Sequence, residues 1–448
     1  MGKRLLISFS PLLFLLSIFL VNFQNDRTEF AFIAVFYTIA FLTYLVLYST
    51  RNTMGFKQLM FIAISAQLLS LWNLPNLSID FYRFLWDGEV TLAGINPFDY
   101  RPEEIVASPE LHAKIIGSRA YMQDVYDGIG SQSQGNFSCY PPINQFYFIA
   151  ATAFSDSLIL NTFLLKLLII STEFLGAFYL IKLLKNLKIE PSRIWLLFLN
   201  PLWIIECTGN THFEGVMLSF LFIAFYFLSK KKELMGSLFF AVAVQVKLIP
   251  LLILPFFYRY LGWKKAFVFY ASTIFIVIAF GLIQLNSENI YNFADSLRQY
   301  FQVFEFNSLV LYQYIQYGIW KTGWNMTKTY SPQLSLIAMY FIFTLALWGD
   351  IQNWNKLMRR ISIAFFIYLL FSSTMHPWYI LPLLAFSLFT NYRFPVVWSF
   401  FIFFSYIFYH YENSSAFAVR LINFIEYGVV LGWFGWELMR SKGRTVLI

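Results

Sequence analysis

DFYRFLWDGEVTLAGINPFDY, residues 80–100, carries three Asp, one Glu and one Arg immediately after an apolar run. The chain around it is 58% hydrophobic, 21% aromatic and only 12% charged. A carboxylate at the mouth of an apolar helix is expensive to keep and needs either a partner or a function. The segment therefore reads as a polar, working edge on a body of membrane helices.

Working outward, uncharged runs at 5–23, 30–50 and 58–79 each reach the ~20 residues that cross ~30 Å of hydrocarbon. Mean hydropathy is +0.60 over 448 residues, and a soluble domain would carry about 25% charged residues. The expected fold class is all-α, a polytopic integral membrane protein. A membrane barrel would show segments of about ten alternating residues, and none is present. The net charge of +8 does not mark a nucleic-acid partner, because 21 of the 32 Lys and Arg fall in short segments between apolar runs. These include Arg51/Lys57, Lys182–Arg193, Lys230–Lys232, Arg259–Lys265, Lys356–Arg360, Arg393 and Arg440–Arg444. That is the positive-inside pattern, and it expects both termini in the cytoplasm. The N-terminal run is too long for a removable signal peptide and lacks a cleavage site. Cys139 and Cys207 would both lie near the outer face, either bridged or as two small unpaired residues.

With the basic loops inside, helices at about 5–22, 30–50 and 58–79 deliver Asp80 to the outer side. An external loop follows to Pro142, in which acids outnumber bases nine to four. Residues 102–126 read as surface amphipathic helices, and 140–154 as a short re-entrant or interfacial helix. Crossings are expected near 158–183, 191–208 and 214–229. The run 234–258 contains VQVKLIPLLILP, where Lys247 and Pro250 break it into a hairpin returning to the cytoplasm. Spans near 266–285, 331–348, 361–375, 378–391, 394–410 and 416–438 complete about twelve crossings. A second external stretch, 286–330, is rich in Tyr, Phe, Trp and Asn. The whole chain reads as one membrane-embedded domain, with residues 80–142 as its catalytic loop.

Asp80 is the first candidate for chemistry, since a carboxylate at a membrane surface can take the proton of a sugar hydroxyl. Asp87 lies seven residues on, on the same helical face, and Arg83 is within i,i+3 reach of Asp80. Arg83 would either orient the carboxylate or bind phosphate, or else form a structural ion pair. Trp86 and Tyr140, flanking the loop, are candidate substrate contacts. NPLWIIECTGNTHFEG gathers Glu206, Asn210, His212 and Glu214 at one external junction. A hydrogen-bonded network lining a cavity explains them better than a metal, because two ligands two residues apart are a weak signal. Lys247 in the broken hairpin needs an anion, either a phosphate or a carboxylate such as Glu206. His376 opens HPWYILPLL and either donates to phosphate or sugar or belongs to an aromatic belt. Asn307, in the second external stretch, is a further candidate contact. Lys166 and Glu173 read as a helix-packing pair. Neither a Walker loop nor a dinucleotide fingerprint is present, so an activated sugar would come from a lipid phosphate rather than a cytosolic nucleotide. No cofactor and no metal site are implied.

Taken in order, DFYRFLWDG, GINPFDYRP, YPPINQF, FLNPLWIIECTGNTHFEGV, VQVKLIP and HPWYILPLL resemble the motifs of the polytopic GT-C glycosyltransferases. They are most similar to the polyprenyl-phosphate-mannose-dependent mannosyltransferases, a group that includes the first mannosyltransferase of GPI-anchor synthesis and bacterial relatives. The resemblance spans residues 80–390. It implies membrane helices with a large first external loop and a lipid-monophosphate sugar donor, with inversion at the anomeric carbon. Asp80 matches the catalytic acid and Asp87 the second acid of the motif. Ser78 and Ile79 stand where the GPI enzyme has a further acid, so the acceptor is left open.

The expectation is an inverting transfer of a hexose, with mannose foremost, from a polyprenyl-phosphate donor to a glycolipid or glycan acceptor. It would take place at the outer face of a bacterial cytoplasmic membrane. The alternatives are a lipid-linked oligosaccharide polymerase or ligase, and a transporter or flippase built on the broken helix at Lys247.

Overall fold

A computed structural model describes residues 2–24, 26–115, 117–302, 304–349, 351, 353–410 and 416–442. Arg444 lies outside the described residues, as do the side chains of Lys3, Arg4 and Lys442. Among the described residues the chain is all helical, and the only β contact is an isolated parallel bridge between Phe306 and Thr374. The expected all-α class is what the chain adopts.

Four helices are long and apolar enough to cross a membrane: Phe30–Ser49, Leu158–Asn186, Trp263–Gly281 and Thr327–Leu347. A fifth results if Pro201–Gly209 and Glu214–Ser229, bent by 109°, count as one. Of the other expected crossings, 5–22 and 416–438 lie in continuous helices, Gly2–Phe23 and Ala416–Lys442, that do not count among the candidate spans, and the rest are shorter or interrupted among the described residues. Pro377–Phe389 and Phe394–Tyr409 are apolar but shorter, and 3-10 turns interrupt them. The third run does not continue to residue 79; its helix stops at Leu69. Lys166 stops it by donating to Ser70 O at 2.8 Å and Asn73 O at 2.7 Å, which pulls those carbonyls out of helical pairing. Lys166 and Glu173 are therefore not a pair with each other, since Glu173 accepts from Gln67 Nε2 at 2.8 Å.

Capping begins the long helices where the sequence provides it. Ser157 accepts from Leu160 N ahead of Leu158–Asn186, and Asn353 accepts from Lys356 N ahead of Trp354–Phe371. Outward faces remain apolar: Phe267, Phe275 and Ile278 on Trp263–Gly281 are each more than half exposed. Such a surface is stable against hydrocarbon and costly against water. Small residues let the inner helices approach closely, and a Cβ on Gly176 would sit 2.3 Å from Ser219 Oγ.

The break at Lys247 is real. Helix Glu233–Val246 ends where Lys247 turns extended, a 3-10 turn Ile249–Ile253 follows, and Phe256–Leu261 leads to Gly262 at φ +75°. Lys265 Nζ then lies 2.7 Å from Glu233 Oε1, so the chain returns to the level from which it left. Other basic segments interlock at that end, with Arg51 3.2 Å from Ser192 Oγ, Lys230 2.6 Å from Asn186 and Arg193 bonded to the Leu388 carbonyl. The second stretch, residues 286–330, contains helices Asn289–Gln302 and Val310–Thr322. Asn289 and Asn292 on the first of these bond Asp99 and the Phe98 carbonyl, tying this stretch to the acidic one.

Candidate active site

The helix Asp80–Leu92 starts at Asp80, whose backbone N donates to Ser78 Oγ at 3.2 Å. The preceding turn is fixed from three sides. Asn210 Oδ1 accepts from Leu77 N at 2.9 Å, Asn76 Nδ2 donates to Val21 O at 2.7 Å, and Lys166 holds the Ser70 and Asn73 carbonyls. Asn210 also donates to Ile205 O, so it works as a strut for the turn that carries Asp80.

Opposite Asp80 lies the 109° elbow between Pro201–Gly209 and Glu214–Ser229. Residues 204–209 form a π-helical turn, a local widening that recurs at functional sites. Thr211 follows at φ +61°, in the left-handed region that β-branched residues avoid. Together they turn His212 back towards Glu206 and Asp80. His212 Nδ1 is 3.0 Å from Glu206 Oε2, and its Nε2 is 3.8 Å from Asp80 Oδ2. Glu206 Oε1 accepts from the Tyr406 hydroxyl at 2.8 Å. The His212 ring lies flat on Trp378, with centroids 3.6 Å apart, and His376 stacks on the same indole at 4.4 Å. Phe306 continues the stack at 4.7 Å from His376.

Lys247 forms its ion pair with Glu214, not with Glu206. The extended backbone at Lys247 aims the ammonium at the start of Glu214–Ser229, while Glu206 is taken up by His212 and Tyr406. Asn144 Nδ2 donates to Val246 O at 2.8 Å and fixes the break that produces this aim. His212 and Glu214 thus face different partners and do not share a ligand site.

Arg83 does not reach Asp80. Its Nε donates to Asp87 Oδ1 at 2.7 Å, and its Nη1 to the carbonyls of Ser133 and Asn136. Asp87 has no exposed surface and also accepts from Ser138 Oγ at 2.6 Å. The pair is a clasp that gathers the far end of the loop against the helix. About 10 Å of helix separates it from Asp80, at 1.5 Å per residue. Trp86 is buried against Tyr126 in the loop core, and the half-buried Tyr140 packs on Phe84 and Phe148. Asn307 is occupied by Glu426 and Asn423, although its neighbour Phe306 touches His376. No disulfide links Cys139 to the buried Cys207.

The cluster brought together is therefore Asp80, Glu206, His212, Glu214, Lys247 and His376. Asp80 keeps 38% of its side-chain surface exposed, more than any of its carboxylate neighbours. Enclosure by protein pushes its pKa above the usual carboxylate range, and the Lys247 charge opposes that shift. Among the described residues, His212 Nε2, His376 Nδ1 and Glu214 Oε2 are buried without a hydrogen-bond partner. Buried polar atoms are rarely left so; of these, His212 Nε2 lies 3.8 Å from Asp80 Oδ2.

Sequence reasoning passed over Tyr406 and Trp378, and also Arg27, which lies over the Tyr409 ring at 4.3 Å and attracts the Asp80 carboxylate. Arg27 carried a signal, being an arginine between the first two apolar runs at the end where positive charge is rare. Tyr406 carried none, since nothing local separates it from neighbouring belt aromatics.

Comparison with known proteins gives one positive finding. The N-terminal domain of the alpha-(1->6)-mannopyranosyltransferases matches residues 17–262. No curated protein matches the chain, and no solved structure does. The matched part contains Asp80, the elbow and Lys247, and on it the chain belongs to the alpha-(1->6)-mannopyranosyltransferase family and is a hexosyltransferase.

Proposed function

We propose that this mannosyltransferase takes mannose from a polyprenyl-phosphate donor and passes it, with inversion, to a glycolipid or glycan acceptor. The reaction takes place at the outer face of a bacterial cytoplasmic membrane, and the chain works as one membrane-embedded unit. The observation that carries this reading is Asp80, an accessible carboxylate that feels the Lys247 charge and lies 3.8 Å from a buried, unpartnered imidazole nitrogen of His212.

Asp80 draws the proton from the acceptor hydroxyl as that oxygen attacks the anomeric carbon. The leaving phosphate gathers charge as its bond to carbon breaks, and groups already in place lower the barrier most. Lys247 and His376 serve there. The Glu214 pairing keeps the Lys247 ammonium in position before substrate arrives. Exposed aromatics on the second stretch, such as Tyr317 and Trp320, supply apolar surface for the polyprenyl chain.

The test is transfer of label from radiolabelled polyprenyl-phosphate-mannose into lipid-extractable product, using membranes that contain the full chain. Asp80→Asn is expected to lower the rate by about 10²–10⁴ with unchanged membrane content. In the active protein the rate should fall on acidification, through a pKa above the ordinary aspartate value, because burial raises it. Retention of more than half the activity by Asp80→Asn removes Asp80 from the role of base.

A further inference from the structure

Glu206, His212 and Tyr406 are committed to one another, which limits what they can do for a substrate. Glu206 has no exposed surface, and each of its oxygens already has a partner in Tyr406 or His212. A carboxylate facing Nδ1 selects the imidazole tautomer with its proton on that nitrogen, because a bare lone pair there would repel it. The proton-free nitrogen is then Nε2, which has no hydrogen-bond partner and points at Asp80 from 3.8 Å. Trp378 fixes the ring plane, and the His212 backbone N donates to Glu206 O at 3.0 Å. Thr211, held left-handed, sets the turn that makes both contacts possible.

We propose that His212 is a positioning residue and second proton station for Asp80, oriented by Glu206 and Tyr406 rather than by substrate. The proposal rests on the base role argued for Asp80. The acceptor O–H bond breaks as the new C–O bond forms, and the bond from carbon to donor oxygen breaks with its electron pair leaving on phosphate. The proton taken by Asp80 moves on to His212 Nε2 and later leaves to water, which regenerates both groups. A small rotation of the accessible Asp80 side chain closes the gap. The imidazolium formed in this way lies between two carboxylates, Asp80 and Glu206, which favour its charge. Burial opposes it most, followed by Lys247 and His376, so the ring rests neutral and carries the charge only in passing; around Asp80 itself the charged neighbours are Lys247, Glu214 and Arg27.

The experiment measures kcat, donor KM and the pH profile for the wild type, Asp80→Asn, His212→Gln, Glu206→Gln and Tyr406→Phe. It uses full-length protein in membranes and radiolabelled polyprenyl-phosphate-mannose. His212→Gln is expected to lower kcat about 10–100-fold with donor KM within about twofold. Its acidic limb should move down by about one pH unit, because protonated Asp80 loses the imidazole lone pair with which its proton is shared. Glu206→Gln should shift the limb in the same direction by less, since an amide no longer enforces the tautomer. Should His212→Gln fail to accumulate, Tyr406→Phe carries the test, and an unmoved limb there overturns the proposal. An active His212→Gln with a wild-type profile beside an inactive Asp80→Asn also overturns it, while leaving Asp80 as base. If the wild type transfers nothing from this donor, both readings fall together.

Discussion

Lys247 is a residue whose chemistry was legible and whose partner was not. A lysine between Val246 and Leu248, three residues before a proline, announces a broken helix and a buried cation. Glu206 and Glu214 are both remote in sequence, 41 and 33 residues before it, and the choice between them is made by the elbow, which no local pattern encodes. Because the pair is with Glu214, Lys247→Met leaves a fully buried carboxylate without its cation. Removing one partner of a buried pair costs on the order of 3 kcal/mol. Thermal unfolding of purified protein should show a lowered midpoint, and adding Glu214→Gln should recover part of the loss. An unchanged midpoint would mean that the ammonium stands in open solvent. Asp80 follows the same logic. Its place at the end of an apolar run was readable, but its approach to His212 comes from a segment 132 residues away and could not be read.

At the scale of the element, Gly88 shows why the motif helix has a glycine in its middle. A Cβ there would lie 2.6 Å from Phe148 O and 2.7 Å from Thr152 Oγ1, so helix Asp80–Leu92 touches Pro142–Thr152 backbone to backbone. Phe84 and Phe148 stack beside that contact, with centroids 4.8 Å apart. Alanine normally favours a helix over glycine by about 1 kcal/mol, yet here it must push two helices apart. Gly88→Ala should therefore lower the yield of folded protein and displace Asp80, measured as reduced monodisperse protein after extraction. A normal yield with full activity would show the two helices to be loosely packed. Apolarity located most helices in the sequence but not their ends. The third run reads as apolar to residue 79, and Lys166, from another helix, cuts it at Leu69.

For the whole molecule, composition was sufficient to name the class and insufficient to count crossings. Segments 377–389 and 394–409 are apolar because they are buried among other helices, and their prolines and 3-10 turns deny them the length of a span. The interlocked basic segments and the acidic loop lie at opposite ends of helices such as Glu214–Ser229, whose 16 residues span about 24 Å. A cysteine at Glu110, 86% exposed, should react with an impermeant maleimide added outside cells, and one at the exposed Lys264 only after permeabilisation. The reverse pattern would move the site to the cytoplasm. The Tyr406 bond to Glu206 has one more consequence, which concerns inheritance. The part of the chain that carries the family match ends at residue 262, but the hydroxyl that holds Glu206 and the indole that holds His212 lie beyond it. A recombinant that joined this N-terminal portion to a stranger's C-terminal half would keep its carboxylate and lose the alignment of its imidazole. The two halves can drift apart from relatives in sequence, but at positions 206, 212, 378 and 406 they must change together.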